Sequence, residues 1–227
     1  MERHGDQSHA ILADEICQVI ESAPGEPPRP LFAAAEVPLP GVQNLENAMA
    51  AALLARGFGA SPEAVRRGLA GFTGLPHRMQ RVAVRDGVTW YDDSKGTNPA
   101  ATGKSLEGFA DGTVHLILGG RNKGADFAAL APLLGRKARR LYLIGEAAGE
   151  LAQALAGTAP IERSGTLAAA VRAAAGGAAP GEAVVLSPAC ASFDQFRNFA
   201  HRGEVFQREV RAALGLNGGP DGEEAGV

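Results

Sequence analysis

Cysteine is almost absent from the chain: Cys17 and Cys190 stand far apart, with no paired spacing. That excludes a disulfide scaffold and a cysteine-ligated zinc site, and it is the usage expected of a reduced, cytoplasmic protein. Positive charge is not in excess either. Lys and Arg total 22 against 25 Asp and Glu, a formal net charge of −3. With no basic stripe, nucleic acid is excluded as the main partner. No apolar run is long enough to cross a bilayer, and the start MERHGDQSHA lacks the apolar core of a signal peptide, so no membrane role is expected. Neither G-x-G-x-x-G nor G-x-x-x-x-G-K-[ST] occurs. What is present is small and apolar. Hydrophobic residues make up 45% of the 227 positions, aromatics only 5%, and there are 30 glycines. Such a composition suits helices packed closely on a sheet, in one large domain or one domain plus part of another.

The pattern along the chain changes near residue 75. AILADEICQVIESA is expected to form a helix broken by PGEPPRP, and LFAAAEVPLPG an extended run. In GVQNLENAMAAALLARGFG, Asn44 has the character of an N-cap, with Leu45, Met49, Ala52 and Leu53 at helical spacing. SPEAVRRGLAGF predicts a second helix capped by Ser61, with Pro62 at its first position and Glu63 in its first turn. TGLPHR reads as a hinge or linker. Beyond it, RVAVRDGVTWYDD predicts two strands around an Asp-Gly turn. Strands at VHLILGG, RRLYLIG and EAVVLSP then alternate with helices at 99–109, DFAALAPLLG, GELAQALAG and LAAAVRAAAGG. A long helix from SFDQF to AAL closes the chain. This order predicts an α/β fold with a doubly wound, mainly parallel, Rossmann-like sheet, preceded by a mostly helical segment. The expected divisions are residues 1–74, a domain over 75–214 and a disordered tail over 215–227.

In such sheets ligands bind beyond the carboxyl ends of the strands, and three loops there are chemically loaded. DDSKGTN offers Asp93 and Lys95 to the ribose and phosphates of a nucleotide and Thr97 to an anion, with Asn98 capping a helix that starts at Pro99. A surface ion pair beside a helix cap fits that spacing equally well. LGGRNKGADF turns tightly at Gly119 and Gly120 and offers Lys123 to a carboxylate or phosphate; a glycine turn with a solvated lysine fits as well. LSPACASFDQF has Ser192 and Gln195 in capping-box spacing, which predicts the start of the last helix and an anion-binding N-terminus. Phe193, Phe196 and Phe199 are expected in the core, and Cys190 as a small buried residue.

Taken together and in this order, GVQNLEN, GLPHR, DDSKGTN, LGGRNKGADF and LSPACASFDQFRNFAHRG resemble the Mur ligases, from about residue 30 to about residue 214. Among them the match is nearest to the member that adds D-glutamate to UDP-N-acetylmuramoyl-L-alanine in peptidoglycan precursor synthesis. The resemblance implies ATP-dependent amide formation through an acyl phosphate, with Mg2+ offsetting phosphate charge, in a cytoplasmic enzyme that is monomeric when complete. It implies that Asn44 and Asn47 lie near the adenine and that Arg78, Asp93 and Lys95 contact the nucleotide. Thr97, Lys123, Ser192 and Phe199 would surround the incoming D-glutamate, with Lys123, Asp93 and Lys95 closest to the chemistry. His77 has a packing, hinge or catalytic role by its position beside Arg78. Gln43 replaces the family's usual histidine. With no phosphate loop, residues 1–74 read as the tail of the central ATPase domain, two helices without their sheet. A non-catalytic amino-acid and nucleotide module, and a related Mur or folylpolyglutamate-type ligase, are the alternative readings.

Overall fold

The computed structural model describes residues 10–13, 16–21, 27–38 and 42–216. They fall into two compact units that part between Gly74 and Leu75.

In the first unit, β1 (Ala10–Ala13), β2 (Ile16–Glu21) and β3 (Arg29–Ala33) form an antiparallel three-stranded sheet. The helix expected over Ala10–Ala23 is therefore corrected. Ile16, Val19 and Ile20 are β-branched, and the adjacent Arg29–Ala33 run supplies a strand to pair with, which outweighs a helical pattern lacking a strong cap. A single-turn 3-10 helix, Ala34–Glu36, leads onward. Helices α1 (Val42–Gly57) and α2 (Pro62–Ala70) follow. The core joins sheet to helices through Val19, Leu31, Phe32, Ala48, Ala52 and Val65, so these helices do have a sheet against them. Because α1 starts at Val42, Asn44 lies within it and is not its cap. Ser61 caps α2 as expected, its side chain accepting from the Ala64 N–H at 3.2 Å.

The second unit opens with β4 (Gln80–Arg85) and β5 (Val88–Asp92), an antiparallel pair turned at Asp86-Gly87. Then come α3 (Pro99–Leu106), β6 (Val114–Gly119), α4 (Ala131–Lys137), β7 (Ala138–Ile144) and α5 (Ala148–Ala154). The chain continues through β8 (Ile161–Gly165), α6 (Leu167–Gly177), β9 (Ala183–Leu186) and α7 (Phe199–Ala213). Strand β8 is absent from the sequence expectation: IERSG is short and polar, half exposed at the sheet edge, with no apolar run to mark it. The six strands lie in the order β4-β5-β9-β6-β7-β8, with every pair except β4-β5 parallel.

Side-chain alternation along the strands sorts the core into two layers. Val114, Leu116, Leu118, Leu141, Leu143 and Val185 face Leu106, Leu134 and Leu151 of α3, α4 and α5. Trp90, Ile117, Tyr142, Ile144 and Val184 face Val171 of α6 and Phe206 and Val210 of α7. Burial on both faces explains why VHLILG is apolar throughout. The five parallel strands, β5, β9, β6, β7 and β8, have their carboxyl ends at one edge, where the three loaded loops emerge.

Candidate functional site

The loop after β5 is held from within by its own acids. Asp92 is fully buried; its Oδ1 accepts from the Ser94 N–H at 3.0 Å, and its Oδ2 lies 2.7 Å from His77 Nδ1 and 2.8 Å from Gln207 Nε2, which donates to it. Asp93 is also buried. Its Oδ2 accepts from Ser187 Oγ at 2.7 Å and Ser105 Oγ at 2.8 Å, and its Oδ1 from the Met79 N–H at 3.3 Å. Burial pushes the Asp93 carboxyl above the usual range, against the pull of these donors. The crowding of two acids into DDSK is thus explained by structure: each organises a loop from inside. Neither pairs with Lys95, so the surface ion pair open from the sequence is not formed.

Lys95 is exposed and rests on an aromatic face, its Nζ 4.2 Å from the centroid of the Phe199 ring. Phe199 also meets the His77 ring edge-on, with centroids 6.3 Å apart. The Lys95 N–H donates to the His77 carbonyl at 3.0 Å, and the Thr97 N–H to the Lys95 carbonyl at 2.8 Å. Asn98 caps α3 as expected, accepting from the Ala101 N–H at 2.9 Å. Arg78 is exposed beside His77. His77, Met79 and Ala189 have left-handed backbones without being glycine, with φ of 60°, 47° and 58°. Such conformations are costly for residues carrying a side chain and survive only where the surroundings hold them. Here the His77–Asp92 contact, the Asp93–Met79 bond and the Ala189 N–H to Gly96 carbonyl bond at 2.9 Å do so.

The second loop depends on two glycines. Gly119 and Gly120 have φ of 129° and 132°, and a Cβ would lie 1.9 Å from the Ile144 carbonyl oxygen at the first and 2.2 Å from the Ala191 oxygen at the second. Only glycine lets β6, β7 and the 191 segment come this close. Arg121 beyond them forms a two-pronged pair with Glu146, both contacts at 3.0 Å, while Lys123 is exposed with no carboxylate partner among the described residues. It lies near enough to Cys190 to act on the thiol electrostatically, which puts the second and third loops side by side.

The third loop departs from expectation. Ser192 and Gln195 do not open the last helix: α7 starts at Phe199, and Asn198 caps it, accepting from the His201 N–H at 2.8 Å. The Gln195 side chain instead donates to the Gly165 carbonyl at 2.8 Å, and Asp194 Oδ2 accepts from the Glu146 N–H at 3.1 Å. Residues 193–195 form a single turn, and these ties hold it against the Glu146 N–H and the end of β8 so that it does not run on into α7. Ser192 is buried in this segment, its carbonyl accepting from the Phe196 N–H at 2.8 Å. Phe193 is exposed, contrary to expectation, whereas Phe196 packs against the α6–α7 layer. Cys190 is buried as expected, with burial pushing its thiol up to about 12, so it is held as an inert thiol.

Arg78, Asp93, Lys95, Thr97, Lys123, Ser192 and Phe199 therefore all lie in the second unit, in or beside loops at one sheet edge. Asn44 and Asn47 belong to α1 of the first unit, Asn44 half-buried and Asn47 exposed. Sequence reasoning missed the buried polar frame formed by Asp92, Ser94, Ser105, Ser187 and Arg202. One signal was available: Arg202 interrupts the apolar stripe of Phe199, Phe206 and Val210 on the last helix. Chemically, the edge offers Arg78, Lys95 and Lys123, none with an acidic partner among the described residues, a hydroxyl at Thr97 and a capped helix start, a set suited to carboxylate or phosphate groups.

Known proteins match this arrangement. The family model described as Mur ligase, glutamate ligase domain, matches residues 77–190. The chain is 45% identical over 200 residues to the UDP-N-acetylmuramoylalanine–D-glutamate ligase of Acidobacterium capsulatum, covering 88% of this chain and 42% of that relative. It is 50% identical over 184 residues to the ligase of the same name from Aromatoleum aromaticum, covering 80% of this chain and 39% of that one. The chain thus spans less than half the length of these curated relatives. Among solved structures it is similar to a murein peptide ligase from Psychrobacter arcticus, with TM-score 0.60 and 19% identity, over 94% of this chain and 45% of that one. A bifunctional folylpolyglutamate synthase/dihydrofolate synthase from Yersinia pestis is also similar, with TM-score 0.55 and 23% identity, over 88% of this chain and 44% of that one. These last two likenesses are of fold. With the family model spanning the loops just described, the chain belongs to the Mur ligase family and carries its glutamate ligase domain.

Proposed function

We propose that this chain supplies the amino-acid-receiving part of an ATP-dependent ligase that joins D-glutamate to UDP-N-acetylmuramoyl-L-alanine in the cytoplasm, acting as a monomer when complete. The observation that carries the reading is the pair of exposed lysines, Lys95 and Lys123, which lack acidic partners among the described residues at the carboxyl edge of the sheet. In this reading residues 75–214 are the D-glutamate domain and residues 1–74 the end of a central ATPase domain. Lys123, Thr97 and the Ser192–Phe199 segment receive the two carboxylates of D-glutamate. Lys95 and Arg78 are the proposed partners of the nucleotide phosphates. Asp93, with both oxygens engaged internally, serves the nucleotide by holding the Lys95 loop in place.

Bound ATP supplies the phosphoryl group that activates the precursor carboxylate, and the D-glutamate amine then displaces phosphate to form the amide. The work of this chain's residues is positioning and charge compensation. The ADP complex of a MurF ligase from Thermotoga maritima, with TM-score 0.60 and 16% identity, is in keeping with a nucleotide site in this fold. Magnesium is not assigned to any residue: among the described residues no three His, Cys, Asp or Glu side chains are grouped to hold a metal ion.

The test is an amide-forming assay with ATP, UDP-N-acetylmuramoyl-L-alanine and labelled D-glutamate. It is run on the chain with a polypeptide supplying the phosphate loop of a curated relative, with L-glutamate and D-alanine as competitors. Labelled nucleotide product that D-glutamate alone competes away supports the reading. Preference for L-glutamate would favour a folylpolyglutamate-type ligase, and absence of product together with absence of D-glutamate binding would overturn the proposal.

A further inference from the structure

Among the described residues of the second unit, Arg202 is the one Lys or Arg sealed entirely inside, with no exposed surface. Burying a guanidinium is expensive, and the cost is normally offset by a carboxylate. Arg202 makes no ion pair among the described residues. Its fork grips backbone and hydroxyl oxygens of two different loops instead. Nε donates to Ser94 Oγ at 3.0 Å, Nη2 to the Ser94 carbonyl at 2.9 Å and Nη1 to the Cys190 carbonyl at 3.2 Å. Ser94 Oγ in turn donates to the carbonyl of Phe199, at 2.8 Å, on the first turn of the same helix. Burial lowers the Arg202 pKa to about 10, still far above neutrality, so the charge is retained.

The consequence reaches the residues beside these bonds. Ser94 precedes Lys95, and Phe199 is the ring on which Lys95 rests. The same guanidinium that fixes Ser94 thus fixes both partners of the Lys95–Phe199 contact, and through Cys190 ties them to the loop that carries Ser192. A neutral side chain of this volume would fill the space but could not hold three oxygens. A lysine would keep the charge but lacks the planar fork.

We propose that Arg202 is a positioning residue that sets the Lys95 ammonium on the Phe199 ring and locks the first and third loops of the site into one frame. The inference depends on the proposed function only for what Lys95 meets, not for how Lys95 is held.

The test needs no substrate. The chain has four lysines, Lys95, Lys104, Lys123 and Lys137, so the lysine side-chain ε-CH2 signals of the full chain form a small set for nuclear magnetic resonance. The expected spectrum has one ε-CH2 signal moved upfield by the aromatic ring current, which disappears in Lys95→Arg and returns to the common position in Phe199→Leu. Arg202→Lys and Arg202→Met should each return it to the common position. His115→Ala, which removes a buried imidazole hydrogen-bonded to Tyr142 and Glu182 at the opposite end of the sheet, should leave it in place. If Arg202→Met does not fold, Arg202→Lys and Ser94→Ala, with folding checked by Trp90 fluorescence, carry the same test. An upfield Lys95 signal that survives in folded Arg202 variants overturns the proposal. Loss of the signal in His115→Ala as well would overturn it too, because the effect would then be general loosening. Binding of D-glutamate or ADP by the unaltered chain tests the functional reading separately.

Discussion

The two ends of the six-stranded sheet differ in how their lysines are partnered. At the amino end, cations are matched. Lys137 pairs with Asp111 at 2.8 Å and donates to the Phe109 carbonyl; Arg139 pairs with Glu182 and Arg140 with Glu162. Even the buried His115 is bracketed, by Glu182 at 2.8 Å and the Tyr142 hydroxyl at 3.0 Å. Desolvation alone would raise the Glu182 pKa, but the Ala179 N–H, His115 and Arg139 outweigh it and hold it below the ordinary glutamate range. At the carboxyl end Arg121 is paired with Glu146, but Asp92 and Asp93 turn inward to serve backbone, hydroxyl and imidazole groups, and Lys95 and Lys123 are left without acidic partners among the described residues. Lys95 and Lys123 are the cations that the proposed function assigns to an anionic ligand. The same end carries the left-handed backbone at His77, Met79 and Ala189 and the glycines packed against carbonyl oxygens.

The contrast can be strained by substitution. The largest effect is expected at Gly119: Gly119→Ala places a Cβ 1.9 Å from the Ile144 oxygen and should cost about 3 kcal/mol or more of stability, read by denaturant unfolding. Next, Lys137→Met removes a nearly buried ammonium and strands the Phe109 carbonyl, for a loss of about 2 kcal/mol, with ligand binding unchanged in a calorimetric titration. The smallest effect separates the true cap from the expected one. Asn198→Ala should cost about 1 kcal/mol through the start of α7, whereas Ser192→Ala should leave that helix start intact by amide hydrogen exchange.

Much of this was legible in the sequence, for identifiable reasons. The parallel strands announced themselves because two-sided burial forces runs such as VHLILG, and Asn98-Pro99 and Ser61-Pro62 announced their helices because cap and first-turn chemistry is local. The three loops were legible as loaded because they combine glycine with charge. What escaped depended on partners distant in sequence. The strands at 10–21 need β3 to be strands at all. The polar edge strand β8 shows no pattern of its own. Ser192 and Gln195 imitate a capping box while Gln195 is used by Gly165, 30 residues earlier. The partner of Arg202, Ser94, lies 108 residues away, so its position in the apolar stripe of the last helix does not by itself show what it holds. Residues 217–227 of the expected disordered tail lie outside the described residues.

The proposed function requires Lys123 and its neighbours to receive a dicarboxylate. The most direct measurement follows the backbone amide resonances of the chain while D-glutamate is added, for the unaltered protein and for Lys123→Ala. The expected shifts are concentrated at Thr97, Lys123, Ser192 and Phe199. A weaker response to L-glutamate is expected, and for Lys123→Ala a loss of affinity of about 2 kcal/mol with thermal stability changed by less than about 0.5 kcal/mol. Shifts centred on the amino end of the sheet, or an unchanged D-glutamate response in folded Lys123→Ala, would contradict it.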